Sequence, residues 1–483
     1  MSQFSKQLEA YIMQRGVNYV QLARRTSIDR TLLHHLVRGD RKPTGTEQVE
    51  RLAEALSLSP AERKELIRLG QIARIGEEVY CRRMAVQDML LRVSPAGPLP
   101  AEPAVDWGKA SLPPVCQGVI QVRALLKQLI DRECALPSGY VDFLGQPDNV
   151  FLLQLLQIAS ASGNLPIRHI ICFDNGSNAA AANVQIFSQI LSNLLSVRNY
   201  EPSYYYGSLD GLRSGLTPFP VLLLTSTCAV QMEADYSAAI ISTGPAHKLL
   251  EAHFQRALSE CRPLAHRVRD LMGCLQNYQP FWQKIQEDEQ EQFYYLVPEY
   301  SCMAFLDREI LETYLSPTLP DREYLIETLA NSGQKSLKGV REYPLTQYIH
   351  QEGVLAFLRT GRFSDCPDEF YRPLEPIHRA QILERSIACA RESESYQLRL
   401  YDHEALPFSN TLALTASAEG QAVNINYKVG PAGFLSLNLQ EPTVAAAIVD
   451  YLAALMDTPM VSSKEDTLRW LESALAEFKD SLG

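Results

Sequence analysis

Four side chains close together in one short stretch, Arg30, Thr31, Leu32 and His35, have the types needed to read base-pair edges. The Arg30 guanidinium fits guanine O6 and N7 with two hydrogen bonds. The Thr31 hydroxyl serves either base type, Leu32 suits a thymine methyl, and His35 can donate to a base acceptor. Around them, Tyr19, Arg38, Arg41 and Lys42 are of the types that hold phosphate oxygens. All eight belong to the run Asn18–Thr44, NYVQLARRTSIDRTLLHHLVRGDRKPT. The pair His34-His35 invites a metal reading, but adjacent residues on a helix point about 100° apart. No metal and no cofactor is therefore expected.

Base reading needs a short helix that buries one side and offers its first turn to the groove. Phe4, Leu8, Tyr11 and Ile12 recur at helical spacing and predict a first helix over residues 3–14, ended by Gly16. A second helix is expected from Tyr19 to Arg25. Asp29 is a good N-cap for a third, running from Arg30 to about Arg38, with Leu33, Leu36 and Val37 as its inward stripe. Gly39 then turns the chain, and Pro43 stiffens the exit. A fourth helix is predicted over Glu47–Leu56. Ser59-Pro60 starts a fifth that continues through residue 92 on Leu66, Leu69, Ile72, Ile75, Val79, Met84, Met89 and Leu90.

The segment resembles the Cro/repressor type of helix-turn-helix, the XRE family. The resemblance is carried by Leu22-Ala23, SIDRTLLHHL at Ser27–Leu36, Arg38-Gly39, RKP at Arg41–Pro43 and LAEALSLSPAE from Leu52, in order over about residues 3–70. It implies base-reading positions on Arg30, Thr31, Leu32 and His35, phosphate positions on Tyr19, Arg38, Arg41 and Lys42, and binding as a dimer to half-sites one turn apart. Two positions depart from the family. Ser27 stands where the turn usually has Gly and must accept an unusual backbone angle, and Val37 stands where a Glu is usual. A helical bundle used only for protein contact is the competing reading, against which the local positive charge weighs.

The charge is distributed unevenly. The whole chain of 483 residues carries −11, yet the stretch through Val93 has 16 Lys and Arg against 11 Asp and Glu, leaving 29 against 45 for the rest. A basic head on an acidic body confines phosphate contact to the head. The ten cysteines are scattered, with no C-x-x-C and no zinc-finger spacing, and read as reduced buried thiols. The first residues lack signal-peptide layout, and no run reaches the ~18 apolar residues of a membrane span. A cytoplasmic protein is expected.

The length predicts a multidomain chain: an all-α helix-turn-helix head to residue 93, a Pro-rich linker over 94–115, an α/β middle domain over 116–275 and an α+β C-terminal domain over 276–483. In the middle domain, strands at Pro166–Phe173, Pro220–Thr225 and Tyr236–Ser242 alternate with helices at Val119–Ile130, Val150–Ser160, Asn183–Leu195 and Pro245–Cys261. The last part is read as an acidic helix around Gln286–Glu291, helices at Arg308–Tyr314, Arg322–Ala330, Leu345–Thr360 and Arg379–Glu392, four strand-like runs between Tyr396 and Leu439, and two closing helices. No repeat of tetratricopeptide type is seen.

Nothing in the body reads as catalytic. Dinucleotide and P-loop motifs are absent, the Gly207–Gly211 run is not G-x-S-x-G, and His247-Lys248 only loosely echoes the His-x-Lys of phospholipase-D-like enzymes. The loop at Asp174–Asn178 reads as a turn, with a ligand loop as the alternative, and Tyr204–Tyr206 as core, with the lining of a ligand pocket as the alternative. The expected function is a sequence-specific DNA-binding transcriptional regulator, not an enzyme. Its body would sense a signal or mediate oligomerisation. Its partners would be double-stranded DNA, a second copy of itself and an effector of unknown kind, with no membrane. An enzyme regulated by a DNA-binding head and an antitoxin-like or defence-associated interaction protein remain alternatives.

Overall fold

The computed structural model describes residues 2–93, 112–162, 165–176, 178–209, 217–269, 291–364, 368–402, 406–418, 422–429 and 433–482, with residues 211, 273, 366 and 404 singly. Most of the expected linker and the acidic helix expected around Gln286–Glu291 lie outside them. The chain divides into two compact units, Met1–Ala85 and Val86–Gly483.

The first unit is helical: α1 (Gln3–Gln14), α2 (Tyr19–Thr26), α3 (Arg30–Arg38), α4 (Thr46–Ala55), α5 (Pro60–Ile75) and most of α6 (Glu77–Leu91), which crosses the unit boundary. Phe4, Leu8, Leu22, Leu33, Leu36, Val49, Leu52 and Leu66 form its core. Ser59 and Glu62 close a reciprocal capping box at the start of α5. The expected uninterrupted helix to residue 92 is broken at Gly76, whose φ of 91° ends α5. The apolar periodicity continues on both sides of that break, so it did not reveal it.

The second unit holds two mixed sheets. The first is built from β1 (Val115–Gln117), α7 (Val119–Ala135), β2 (Val141–Leu144), α8 (Val150–Ser162), β3 (Ile167–Asp174), α9 (Ala179–Ser196), β4 (Tyr200–Gly207), β5 (Val221–Leu224), β6 (Ala229–Met232), β7 (Ala238–Ser242), α10 (Gly244–Glu260) and β8 (Arg262–Pro263). The second takes β9 (Ala265–Val268), β10 (Phe293–Val297), α11 (Arg308–Tyr314), α12 (Arg322–Glu342), β11 (Leu345–His350), α13 (Gln351–Thr360), α14 (Pro376–Glu392), β12 (Tyr396–Tyr401), β13 (Leu412–Ser417), β14 (Val423–Val429), β15 (Gly433–Leu439), α15 (Pro442–Leu455) and α16 (Lys464–Asp480).

Strand order shows that the two sheets are the same construction used twice. The first runs β1-β7-β6-β5-β2-β3-β4-β8 and the second β9-β15-β14-β13-β10-β11-β12. In each, three parallel strands (β2, β3, β4; β10, β11, β12) are followed by an antiparallel meander (β5, β6, β7; β13, β14, β15) laid against the first of the three. The strand that precedes each set returns antiparallel to the last meander strand. The expected contrast of an α/β domain with an α+β domain is corrected accordingly: both halves have the same mixed sheet. Leu345–Thr360, expected as one helix, is a strand followed by a helix. Its first six residues, LTQYIH, are all buried and form β11, the middle one of the three parallel strands. A short run buried on both faces has no alternation to separate it from helix.

The segment Arg262–Val268 joins the halves: β8 pairs with β4 at the edge of the first sheet, and β9 pairs with β15 of the second. Between them, the Leu264 N–H donates to the Pro202 carbonyl (3.0 Å) and its carbonyl accepts from Gln440 N–H (2.9 Å). Among the described residues no helix is long and apolar enough to cross a membrane.

Candidate nucleic-acid interface

The turn between α2 and α3 is built by three capping groups. The Asn18 side-chain oxygen accepts from Gln21 N–H (2.8 Å) at the start of α2. Ser27 ends that helix in the left-handed region, φ 55° and ψ 28°, the angle the sequence required of it. The Asp29 carboxylate accepts from the N–H groups of Thr31 (2.8 Å) and Leu32 (3.2 Å), which caps α3 and holds the Asp29 carboxyl below its usual range, Leu32 contributing most. Gly39, with φ 82°, closes α3.

One face of α3 is fixed inward by Leu33, Leu36 and Val37, all buried. The Ser5 hydroxyl donates to the Leu36 carbonyl (2.7 Å), tying α1 to the end of α3. At about 100° per residue, the direction opposite that stripe is shared by Thr31, His35 and Arg38. Arg30 is exposed at the first helical position. Leu32 stands at the rim and is partly buried against the head's core. The four base-type side chains and Arg38 therefore belong to one helix, while Tyr19 opens α2 and Arg41 and Lys42 follow Gly39.

The structure adds contacts that residue type alone did not show. The Tyr19 ring stacks on His34, with centroids 4.3 Å apart and planes 24° apart. Burial, with help from the Glu9 carboxylate, pushes the Tyr19 phenol up, and the Arg38 guanidinium opposes the shift. Tyr19, His34 and Arg38 thus form one group across α2 and α3. His34 is a positioning residue for Tyr19, and the i,i+4 spacing of His34 and Arg38 was its only signal in the sequence. His35 Nδ1 lies 3.2 Å from Asp40 Oδ2 and both side chains are about half exposed, so a carboxylate orients the imidazole. Lys42 Nζ donates to the Arg74 carbonyl (3.3 Å) near the end of α5. The exposed Arg41 makes no ion pair among the described residues.

The body's singled-out residues are held by local contacts. The Asp174 N–H donates to the Asn183 side-chain oxygen (2.8 Å), fixing the turn after β3. His247 bonds through Nε2 to the Thr225 carbonyl (3.0 Å). Tyr204 is buried, and the Tyr206 hydroxyl donates to Glu441. Among the described residues no group of three or more His, Cys, Asp or Glu is placed to hold a metal ion.

Residues 3–66 match the sequence family described as "Helix-turn-helix domain", the segment that holds α1–α4 and the start of α5. No curated protein matches the chain. Among solved structures, the polyphosphate kinase from Porphyromonas gingivalis is similar at 10% identity with a TM-score of 0.24, over 74% of this chain and 54% of that one. The chain thus spans about half the length of that kinase. A likeness this slight carries no argument about the body.

Proposed function

We propose that the chain is a sequence-specific, DNA-binding transcriptional regulator of XRE type, with α3 as the recognition helix. The observation that carries this reading is the cap-and-turn geometry around Asp29, which leaves Arg30, Thr31, Leu32 and His35 on the accessible part of a helix whose other face is buried. Tyr19, Arg38, Arg41 and Lys42 hold the flanking phosphates. The charge split supports this, since the basic head is joined to an acidic body that phosphates repel.

In this reading the protein acts as a homodimer, and its cytoplasmic body is a sensor or oligomerisation module without catalytic activity. A ligand that binds one arrangement of the dimer better than another shifts the population between head spacings, and only its differential affinity does so. Genome-wide capture of bound DNA, with and without Arg30→Ala, tests the proposal. A shared motif that loses information at one base position is the expected result. Capture of no enriched sequence by the unaltered protein rejects it.

A further inference from the structure

A cavity of about 330 Å³ lies in the C-terminal half, walled by α12 and α14 and by the segment that leads into α11. That volume is within the range of small-molecule sites, roughly 300–1,000 Å³. Its floor is apolar, from Phe305, Leu306, Ala330 and Leu337. Gly333 lets α12 approach so closely there that a Cβ would sit 2.8 Å from the Met303 carbonyl oxygen.

Three guanidiniums stand on the rim. Arg308, Arg341 and Arg385 come from three different helices and line one opening. Arg385 pairs with Asp307 at 3.0 Å, and Arg308 with Glu312 at 2.6 Å and also with Glu323. Arg341 has no carboxylate partner among the described residues; it reaches only the sulfur of Cys389 in the cavity wall. The rim carboxylates are Asp307, already held by Arg385, and Glu392. Glu312 and Glu323 hold Arg308 and Asp307 holds Arg385, so Arg341 is the rim guanidinium without an ion pair among the described residues, beside an apolar floor.

We propose that this cavity binds a small organic carboxylate with an apolar body, the carboxylate on Arg341 and the apolar part between α12 and α14. Arg341 offers a single planar fork without an ion-pair partner, and such a fork suits one carboxylate. Binding at this site stands apart from the DNA-reading proposal, and only its use as an effector site rests on that proposal.

The test is calorimetric titration of the full chain, without DNA, using phenylacetate, benzyl alcohol and inorganic phosphate as probes. Phenylacetate should bind at least about tenfold tighter than either of the others, since it alone offers both the charge and the apolar body. Arg341→Gln should weaken phenylacetate about tenfold, because a charge-assisted pair is lost. Ala388→Phe, at an exposed wall position, should block it while the protein keeps its circular dichroism. Failure of phenylacetate to saturate the protein at millimolar concentration overturns the proposal. So does unchanged affinity in Arg341→Gln, or phosphate binding as tightly as phenylacetate. None of these outcomes bears on DNA binding by the head.

Discussion

Arg41 gives the sharpest test of how the head meets DNA. It is exposed just beyond the left-handed Gly39 and makes no ion pair among the described residues, so its charge is available to a phosphate. Each phosphate neutralised by a cation contributes about −0.9 to the slope of log K against log salt concentration. Removing one such contact reduces the affinity lost between 50 and 200 mM salt by about 3.5-fold per head, the fourfold salt change raised to the power 0.9. Lys42 is placed differently, because its ammonium already donates to the Arg74 carbonyl and must exchange that bond for a phosphate. Fluorescence anisotropy with a captured operator and with a scrambled duplex should show Arg41→Ala flattening the slope by about 0.9 per head on both DNAs. Lys42→Ala should flatten it less. An unchanged slope in Arg41→Ala would mean that the phosphate strand passes elsewhere on the head and would refute the placement of the loop after α3.

The remaining predictions concern the reading helix, the turn and one buried histidine. Arg30→Ala should relax preference at one base position, with a loss of about 1–3 kcal/mol for the preferred base, measured by competition among single-position operator variants. Ser27→Gly should slow hydrogen exchange in α2 and α3, because a left-handed L-residue costs about 1–2 kcal/mol and glycine's added chain entropy returns only about 0.5–1 of that; faster exchange would contradict the strained turn. Leu33→Ala, at a fully buried position, should destabilise the head by about 2–5 kcal/mol and abolish DNA binding while near-ultraviolet circular dichroism of the body persists. His169 Nε2 faces the Gly145 carbonyl at 2.9 Å and so carries the proton, while Nδ1 accepts from the Tyr200 hydroxyl at 2.6 Å; burial lowers its pKa from 6.5 to about 3. The unfolded chain therefore holds the extra proton between those values, and stability falls as pH drops through that window by up to about 1.4 kcal/mol per pH unit. His169→Gln should flatten that dependence in denaturant titrations from pH 7 to 4.

The head was legible because each of its devices is local. Asn18 and Asp29 are caps, Gly39 is a left-handed stop, and Leu33, Leu36 and Val37 repeat at helical spacing, so residue types at fixed offsets specify the turn and the exposed face. What stayed hidden depends on pairs distant in sequence or on rotamers. The stacking of Tyr19 on His34, the orientation of His35 by Asp40 and the diversion of Lys42 to Arg74 carry no spacing rule. In the body, apolar strands such as PIRHIICF and the hairpin runs after Leu412 stand out by composition, while β1, β2 and β6 have only three or four residues each and are too short to show a period. The repeat between the two sheets was invisible for a related reason. It is a repeat of strand order and direction, which hydrogen-bond partners define and side-chain sequence need not preserve.

That repeat also bears on how the two sheets of the second compact unit are held together. Independent halves need an interface that can slide or open, of the modest and polar kind found between domains. Here the contact is made of bonds that tolerate little displacement. The Arg267 guanidinium from β9 donates to the Leu194, Val197 and Arg198 carbonyls at the end of α9. Glu441, fully buried, caps α15 through the N–H groups of Thr443 (3.2 Å) and Val444 (2.7 Å) and also accepts from the Tyr206 hydroxyl of the first sheet. Asn183 Nδ2 donates to the Thr443 hydroxyl (3.0 Å) from the other side. Separating the halves would strand a buried carboxylate and several buried donors, each costing about 1–3 kcal/mol or more when left unpaired. With that cost, together with the strand that runs from one sheet edge into the other, a hinge between the sheets is an unfavourable route for any signal. A ligand in the α12–α14 cavity, if it acts on the heads, is better placed to do so by changing how whole bodies meet one another than by opening one body along its duplication.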